Sequence, residues 1–235
     1  MTESAAADRR AILTQHFLLA QLDESALDRL LAVAGERGFG NGQVIFQKGD
    51  PGTSMMAVLS GRVRISAYSE DGREIILNIV EPGQLFGEIA LLDGKERSAD
   101  ATAMGKTALL VLDRRDFLPF LERNPKIAVQ LIEVLCSRLR RTSEMVESIA
   151  FLDFGARLAR LLLQMSEHYG VETNAGLLID LKISQADLGN LIASTRESVN
   201  RQLSAWTQEG VIAIDHGKIT ILDREILEFT AQSVV

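Results

Sequence analysis

The spacing of apolar positions changes several times along the chain, and each change predicts a change of element. Across residues 9–37, Ile12, Leu13, Phe17, Leu22, Leu27, Leu30 and Leu31 recur at helical intervals, and Asp23-Glu24-Ser25 suits the start of a second helix. Between Phe39 and Leu112 the runs shorten to Val44–Phe46, Met55–Leu59, Val63–Ile65, Ile75–Val80 and Ala108–Leu112. They are separated by Gly40-Asn41-Gly42, Gly49-Asp50-Pro51-Gly52, Gly61, Asp71-Gly72 and Pro82-Gly83. Short strands with turn residues at such spacing predict an all-β barrel or sandwich of jelly-roll type. From Arg114 to about Ile149 the helical period returns, with Pro125 suited to the first turn of a long helix. Along it Ala128, Leu131, Leu135, Leu139, Thr142, Val146 and Ile149 step by three and four residues, the spacing of a coiled-coil seam. Dimerisation and packing on its own domain both fit that stripe. Phe151-Leu152-Asp153 ends it, and Asp153 is a suitable cap for the next helix, which puts a domain boundary here.

Two short helices follow, marked by their caps. Ser184-x-x-Asp187 and Ser194-x-x-Glu197 each place a side-chain acceptor before a helix and an acid in its first turn. Leu188, Ile192, Val199 and Leu203 give each helix an apolar stripe, and Ala193-Ser194-Thr195 has about the length of a helix-turn-helix connection. In such a motif the second helix reads DNA. Arg196, Glu197 and Arg201 lie towards its N-terminal end, Arg matching the two acceptors of guanine and Glu the amino donor of cytosine. The same residues also suit a solvated helix face. Gly210 is a natural helix stop, and Val211–Ile214 and Ile219–Leu222 alternate around Asp215-His216-Gly217-Lys218 like a hairpin. A winged helix-turn-helix fits, as does a plain α+β fragment. Trp206 and His216 read as packing and surface residues.

At 235 residues the chain has room for two domains. No apolar run approaches the ~20 residues of a membrane helix, and residues 1–8 lack the order of a signal peptide, so a cytoplasmic protein without a membrane partner is expected. Cys136 stands alone and His16, His168 and His216 are scattered, so neither a disulfide framework nor a metal site is expected. Packing or solvation explains His16 and His168 better than haem ligation. No paired carboxylates or nucleophile–base set lies at useful spacing, which argues against an enzyme. The net charge of −7 opposes indiscriminate nucleic-acid binding, because sequence-independent affinity comes from neutralising phosphates. Seven basic residues (Arg157, Arg160, Lys182, Arg196, Arg201, Lys218, Arg224) face ten acidic ones from Gly155 onward, so a positive footprint must be local.

One further constellation runs from Phe86-Gly87-Glu88-Ile89-Ala90 to Glu96-Arg97-Ser98. Gly87 lets a backbone approach a ligand closely, and a short helix beginning here presents N–H groups and a positive dipole end to an anion. Arg97 adds a bidentate fork, Ser98 a neutral donor, and Glu88 an acceptor suited to a sugar hydroxyl. A structural turn with a buried Arg explains the same residues. Neither a P-loop nor a G-x-G-x-x-G motif is present, so hydrolysis and dinucleotide binding are not indicated. In the helical seam, Thr142 with Ser143 is out of place, since a buried hydroxyl without a partner costs about 1–3 kcal/mol. A bond back to its own helix or a bond to a ligand would each satisfy it.

Taken in order, these motifs resemble the cAMP receptor protein branch of the CRP/FNR superfamily across nearly the whole chain. Phe86-Gly87-Glu88 to Arg97-Ser98 is similar to its phosphate-binding cassette. Arg138, Thr142-Ser143, Phe151-Leu152-Asp153 and Ser194-Thr195-Arg196-Glu197-x-x-x-Arg201 are similar to its long helix, hinge and recognition helix. The resemblance implies an α+β fold with a cyclic-nucleotide-binding jelly-roll β-barrel and N-terminal helices over residues 1–124. A dimerisation helix and hinge over 125–152 and a winged helix-turn-helix over 153–235 would follow. It implies that Arg97, Ser98 and the Gly87 amide hold a cyclic phosphate, with Ile89 and Ala90 of the same helix start also among the ligand-binding residues. Glu88 and Arg97 would support the ribose, with Arg138 in the site, while Thr142 and Ser143 of the opposite subunit would meet the purine. The effector would be cAMP, with no other cofactor. The partners would be a palindromic TGTGA-type operator, a second copy of the chain and RNA polymerase. On the DNA side the resemblance points to Ser184, Gln185, Ser194, Arg196, Glu197, Ser198, Asn200, Arg201 and Lys218. Two departures stand out: Gln185-Ala186 occurs where close relatives carry Arg-Gln, and Ala193 replaces a turn Gly. A cGMP or cyclic-dinucleotide effector, a ligand-independent regulator and a non-DNA effector module are the alternatives.

Overall fold

The structure, a computed structural model, describes residues 24–234, which form two compact units: 24–67 with 77–139, and 68–76 with 140–234. The chain runs through α1 (Glu24–Val33), β1 (Gly35–Phe39), β2 (Val44–Phe46), β3 (Ser54–Tyr68), β4 (Glu74–Val80), β5 (Leu85–Phe86), α2 (Glu88–Asp93) and β6 (Asp100–Asp113). Helices α3 (Arg114–Arg123) and α4 (Pro125–Phe151) follow. The helix expected over 9–37 survives as α1, while residues 9–23 lie outside the described residues. Residues 35–39 are instead an edge strand: Gly35 interrupts the helix, and Glu36 and Arg37 add to β6 opposite Leu110 and Leu109.

The first sheet runs β1-β6-β3-β4, with β2 on β6 and β5 on β3. The jelly-roll architecture is present, but among the described residues its hydrogen bonding follows an open path and closes no barrel. Met55, Ala57 and Leu59 enter one core with Leu110, Phe117, Phe120 and Leu131, whereas Met56, Val58 and Val63 enter another with Phe86, Ala101 and Leu109. Side chains alternate across a strand, and here both faces are covered, so Met55–Leu59 reads as unbroken apolar sequence. The Gly61 turn expected between two strands is a bend within one strand. Gly61 has φ 77°, the register against β6 shifts around it, and a Cβ there would come within 2.5 Å of the Lys106 carbonyl.

The second unit holds α5 (Phe154–Tyr169), β7 (Gly170–Thr173), β8 (Gly176–Ile179), α6 (Gln185–Leu191), α7 (Arg196–Gln208), β9 (Ile212–Asp215), β10 (Lys218–Ile221) and α8 (Arg224–Thr230). Asp153 caps α5 by accepting from the Ala156 N–H at 2.7 Å. Leu158, Leu162, Leu188, Val199, Leu203, Trp206 and Ile219 form its core. The sheet order is β7-β8-β10-β9. The β9–β10 turn has His216 at φ 48° and Gly217 at φ 80°, the paired left-handed residues of a tight hairpin turn. The β7–β8 hairpin went unread in the sequence, because all four residues of β7 are exposed and carry no apolar alternation.

Candidate functional site

The cassette is built where β5 meets α2. Gly87 is the residue before α2, at φ 78° and ψ 9°, a left-handed conformation that favours glycine. A Cβ there would lie 2.6 Å from Arg97 Nη1. Arg97 is 5% exposed. Its Nη1 donates to the Gly87 carbonyl (2.9 Å), its Nη2 to Ser54 Oγ (3.1 Å), and its guanidinium lies 4.2 Å from the Phe46 ring centre. Burial pulls the Arg97 pKa below the ordinary guanidinium value, opposed by the carboxylates of Asp50 and Glu88.

Glu88 is 1% exposed and accepts from Arg138 Nη1 at 2.5 Å, while Arg138 Nη2 donates to the Leu85 carbonyl. Glu88 Oε2 and Arg97 Nε are buried without a hydrogen-bond partner among the described residues. The loop at 49–52 clamps this arrangement: Gly49 N–H donates to the Arg97 carbonyl (2.9 Å) and Arg97 N–H to the Asp50 carbonyl (2.8 Å). Gly52 sits so close that a Cβ would be 2.2 Å from Ala90 Cβ. Ala90 is therefore a packing residue, whereas Ile89 (46% exposed) and Ser98 lie at the surface. The structure thus gathers Gly87, Glu88, Arg97 and Arg138. It adds Phe46 and Ser54, which sequence reasoning missed; Ser54 lies 43 residues from Arg97 and belongs to no motif.

The expected seam on α4 divides. Leu131 is buried with Ile127 in the core of its own unit, which corrects its assignment to the seam, and Leu135 is half-buried. The face left open carries Val129, Ile132, Cys136, Leu139, Ser143 and Val146, again stepping by three and four. Thr142 is likewise exposed.

In the helix-turn-helix, Ser184 caps α6, its Oγ accepting from the Asp187 N–H at 3.0 Å. The second cap is Thr195 and not Ser194: Thr195 Oγ1 accepts from the Ser198 N–H at 3.2 Å, and α7 begins at Arg196. Ser194 instead donates its N–H to the Gly189 carbonyl at 2.8 Å, closing the turn in which Ala193 takes φ 53°. Val199, Leu203 and Trp206 bury one face of α7, leaving Arg196, Glu197, Asn200 and Arg201 exposed on the other. Ser198 and Gln185 are half-buried. Lys218 in the wing pairs with Asp180 at 2.5 Å, and the stem of Lys182, counted in the sequence among the basic residues but not assigned to the DNA side, lies beneath Gly217.

This pairing of a ligand-cassette domain with a helix-turn-helix defines a class, that of ligand-controlled transcription regulators. Residues 36–124 match the cyclic nucleotide-binding domain family and residues 156–229 the Crp-like helix-turn-helix domain family. The chain is 30% identical to a CRP-like cAMP-activated global transcriptional regulator of Mycobacterium tuberculosis, over 92% of this chain and 96% of that protein. It is 34% identical to a cyclic AMP receptor protein of Thermus thermophilus, over 86% and 90%. A crystal structure of a CRP/FNR-family regulator from Thermus thermophilus superposes with a TM-score of 0.64 at 30% identity, covering 85% of this chain and 99% of that one. The chain belongs to the CRP/FNR superfamily. It is a cyclic-nucleotide-binding transcription regulator whose relatives are regulators, not enzymes. No helix among the described residues is long and apolar enough to cross a membrane.

Proposed function

We propose that the protein is a homodimeric, cAMP-responsive regulator that binds a palindromic TGTGA-type operator when the nucleotide is bound. The observation that carries the effector site is the pair of orphaned buried atoms, Arg97 Nε and Glu88 Oε2. A buried polar atom without a partner costs about 1–3 kcal/mol, and more when charged, so a phosphate and a ribose hydroxyl offered to this guanidinium and carboxylate would be held strongly. Arg97, Ser98 and the Gly87 amide take the phosphate, and Glu88, positioned by Arg138, takes the ribose. Thr142 and Ser143 keep the purine contact that family resemblance implies. The open α4 face supports a second copy as partner, and the exposed Arg196, Glu197, Asn200 and Arg201 support base reading, with Ser184, Ser198 and Lys218 near the backbone. RNA polymerase is the further partner of such a regulator.

The mechanism is a population shift: nucleotide that binds best in one arrangement of the dimer favours the placement of the two reading helices that fits the operator. Calorimetry with cAMP, cGMP and a cyclic dinucleotide, followed by fluorescence anisotropy on a palindromic operator, tests it. cAMP should bind tightest and strengthen operator binding, and Arg97→Gln should abolish both effects; operator binding indifferent to every nucleotide would overturn the reading. A different effector is the second reading. It is favoured by a c-di-GMP-responsive regulator of Xanthomonas campestris sharing the fold at a TM-score of 0.76 and 24% identity, over 85% of this chain and 99% of that one.

A further inference from the structure

Within the second unit, the last turns of α4 meet α5 and the end of α6 around a cavity of about 200 Å³. Its wall carries three guanidinium groups, Arg141, Arg157 and Arg160, against one carboxylate, Glu144, with Ser148 and Gln164 as neutral polar neighbours. Arg157 Nε is buried and has no hydrogen-bond partner among the described residues. Arg160 is held in place by its Nε bond to the Ala231 carbonyl at 2.8 Å. Three guanidinium groups against one carboxylate give this concave wall a net positive charge, which favours an anion. The remaining lining is apolar, Met145, Ile149 and Leu161 among it. The volume is below the ~300 Å³ at which sites for drug-sized ligands begin, so the fitting ligand is small.

We infer that this cavity is a second effector site, distinct from the Arg97 cassette, for a phosphate monoester with a compact apolar body. Guanidinium groups take the phosphate oxygens in bidentate fashion and the aliphatic side chains cover the body. Because the ligand touches α4, α5 and α6 together, its occupancy stiffens the junction from which the reading helix is carried and gives operator binding a second chemical input.

Calorimetry of the full chain with phenyl phosphate, inorganic phosphate and phenol, at constant ionic strength, tests the site. Phenyl phosphate should bind saturably at one site per chain, more tightly than inorganic phosphate, and phenol should not bind. Arg157→Gln should weaken phenyl phosphate at least tenfold, whereas Glu144→Gln, which removes the opposing charge, should tighten it severalfold. A general loss of folding could not produce that gain. Arg97→Gln should leave the binding unchanged, which separates this site from the cassette. The inference fails if wild-type chain shows no saturable binding, if Arg157→Gln binds normally, if Glu144→Gln binds more weakly, or if Arg97→Gln removes the binding.

Discussion

Ala193 holds a left-handed φ of 53° in the turn between α6 and α7. A Cβ in that conformation costs about 1–2 kcal/mol, partly offset because glycine loses more entropy on folding. Ala193→Gly should therefore stabilise the protein by about 0.5–1 kcal/mol, read as a higher denaturant midpoint with an unchanged slope. Gly52 makes the opposite case. Its virtual Cβ would meet Ala90 Cβ at 2.2 Å and the Lys95 carbonyl at 2.5 Å, so neither neighbour can swing aside. Gly52→Ala should cost about 1–3 kcal/mol by overpacking and also weaken nucleotide binding, because the same contact seats α2. A melting temperature and an affinity both equal to wild type would remove the clamp from the account.

At the scale of elements, the two proposed recognition tasks fall to α4 and α7. The stripe of Val129, Ile132, Leu139 and Val146 leaves one face of α4 apolar and exposed, so Leu139→Asp with Val146→Glu should shift the proposed dimer to monomer in analytical ultracentrifugation while the fold persists. On α7, a bidentate Arg–guanine pair is worth about 1–3 kcal/mol of discrimination. Arg196→Ala or Arg201→Ala should weaken specific operator binding by roughly tenfold or more, relax base preference at one position of each half-site, and leave nucleotide affinity unchanged in anisotropy and calorimetry. Loss of affinity equal on all DNA sequences would make these residues phosphate contacts instead.

For the whole molecule the relevant quantity is a coupling free energy. With an excess of seven negative charges, the protein cannot hold DNA by bulk electrostatics, so operator binding must rest on a local basic face. The expected coupling between nucleotide and operator is about 1–3 kcal/mol, or roughly 5–150-fold, and it must be the same in both directions. Measuring cAMP affinity with and without saturating operator, and operator affinity with and without cAMP, should give one factor. Two different factors would show that more than these two ligands is being bound.

Much of this was legible in the sequence because it is local. Caps at Asp153 and Ser184, the His216-Gly217 turn and the alternation of β9 and β10 are fixed by residues within a few positions of one another. Gly87, Glu88 and Arg97 suggest an anion site through residue type and short spacing, which a structural turn with a buried Arg would equally explain. Tertiary structure decided what depends on a distant partner. Whether Gly61 ends a strand or bends it follows from β6 continuing alongside, and whether Leu131 faces a second copy or its own core follows from where α3 lies. That Phe46 and Ser54 hold Arg97, and that Arg138 holds Glu88, reflects the folding of remote segments onto one another, which no local pattern encodes.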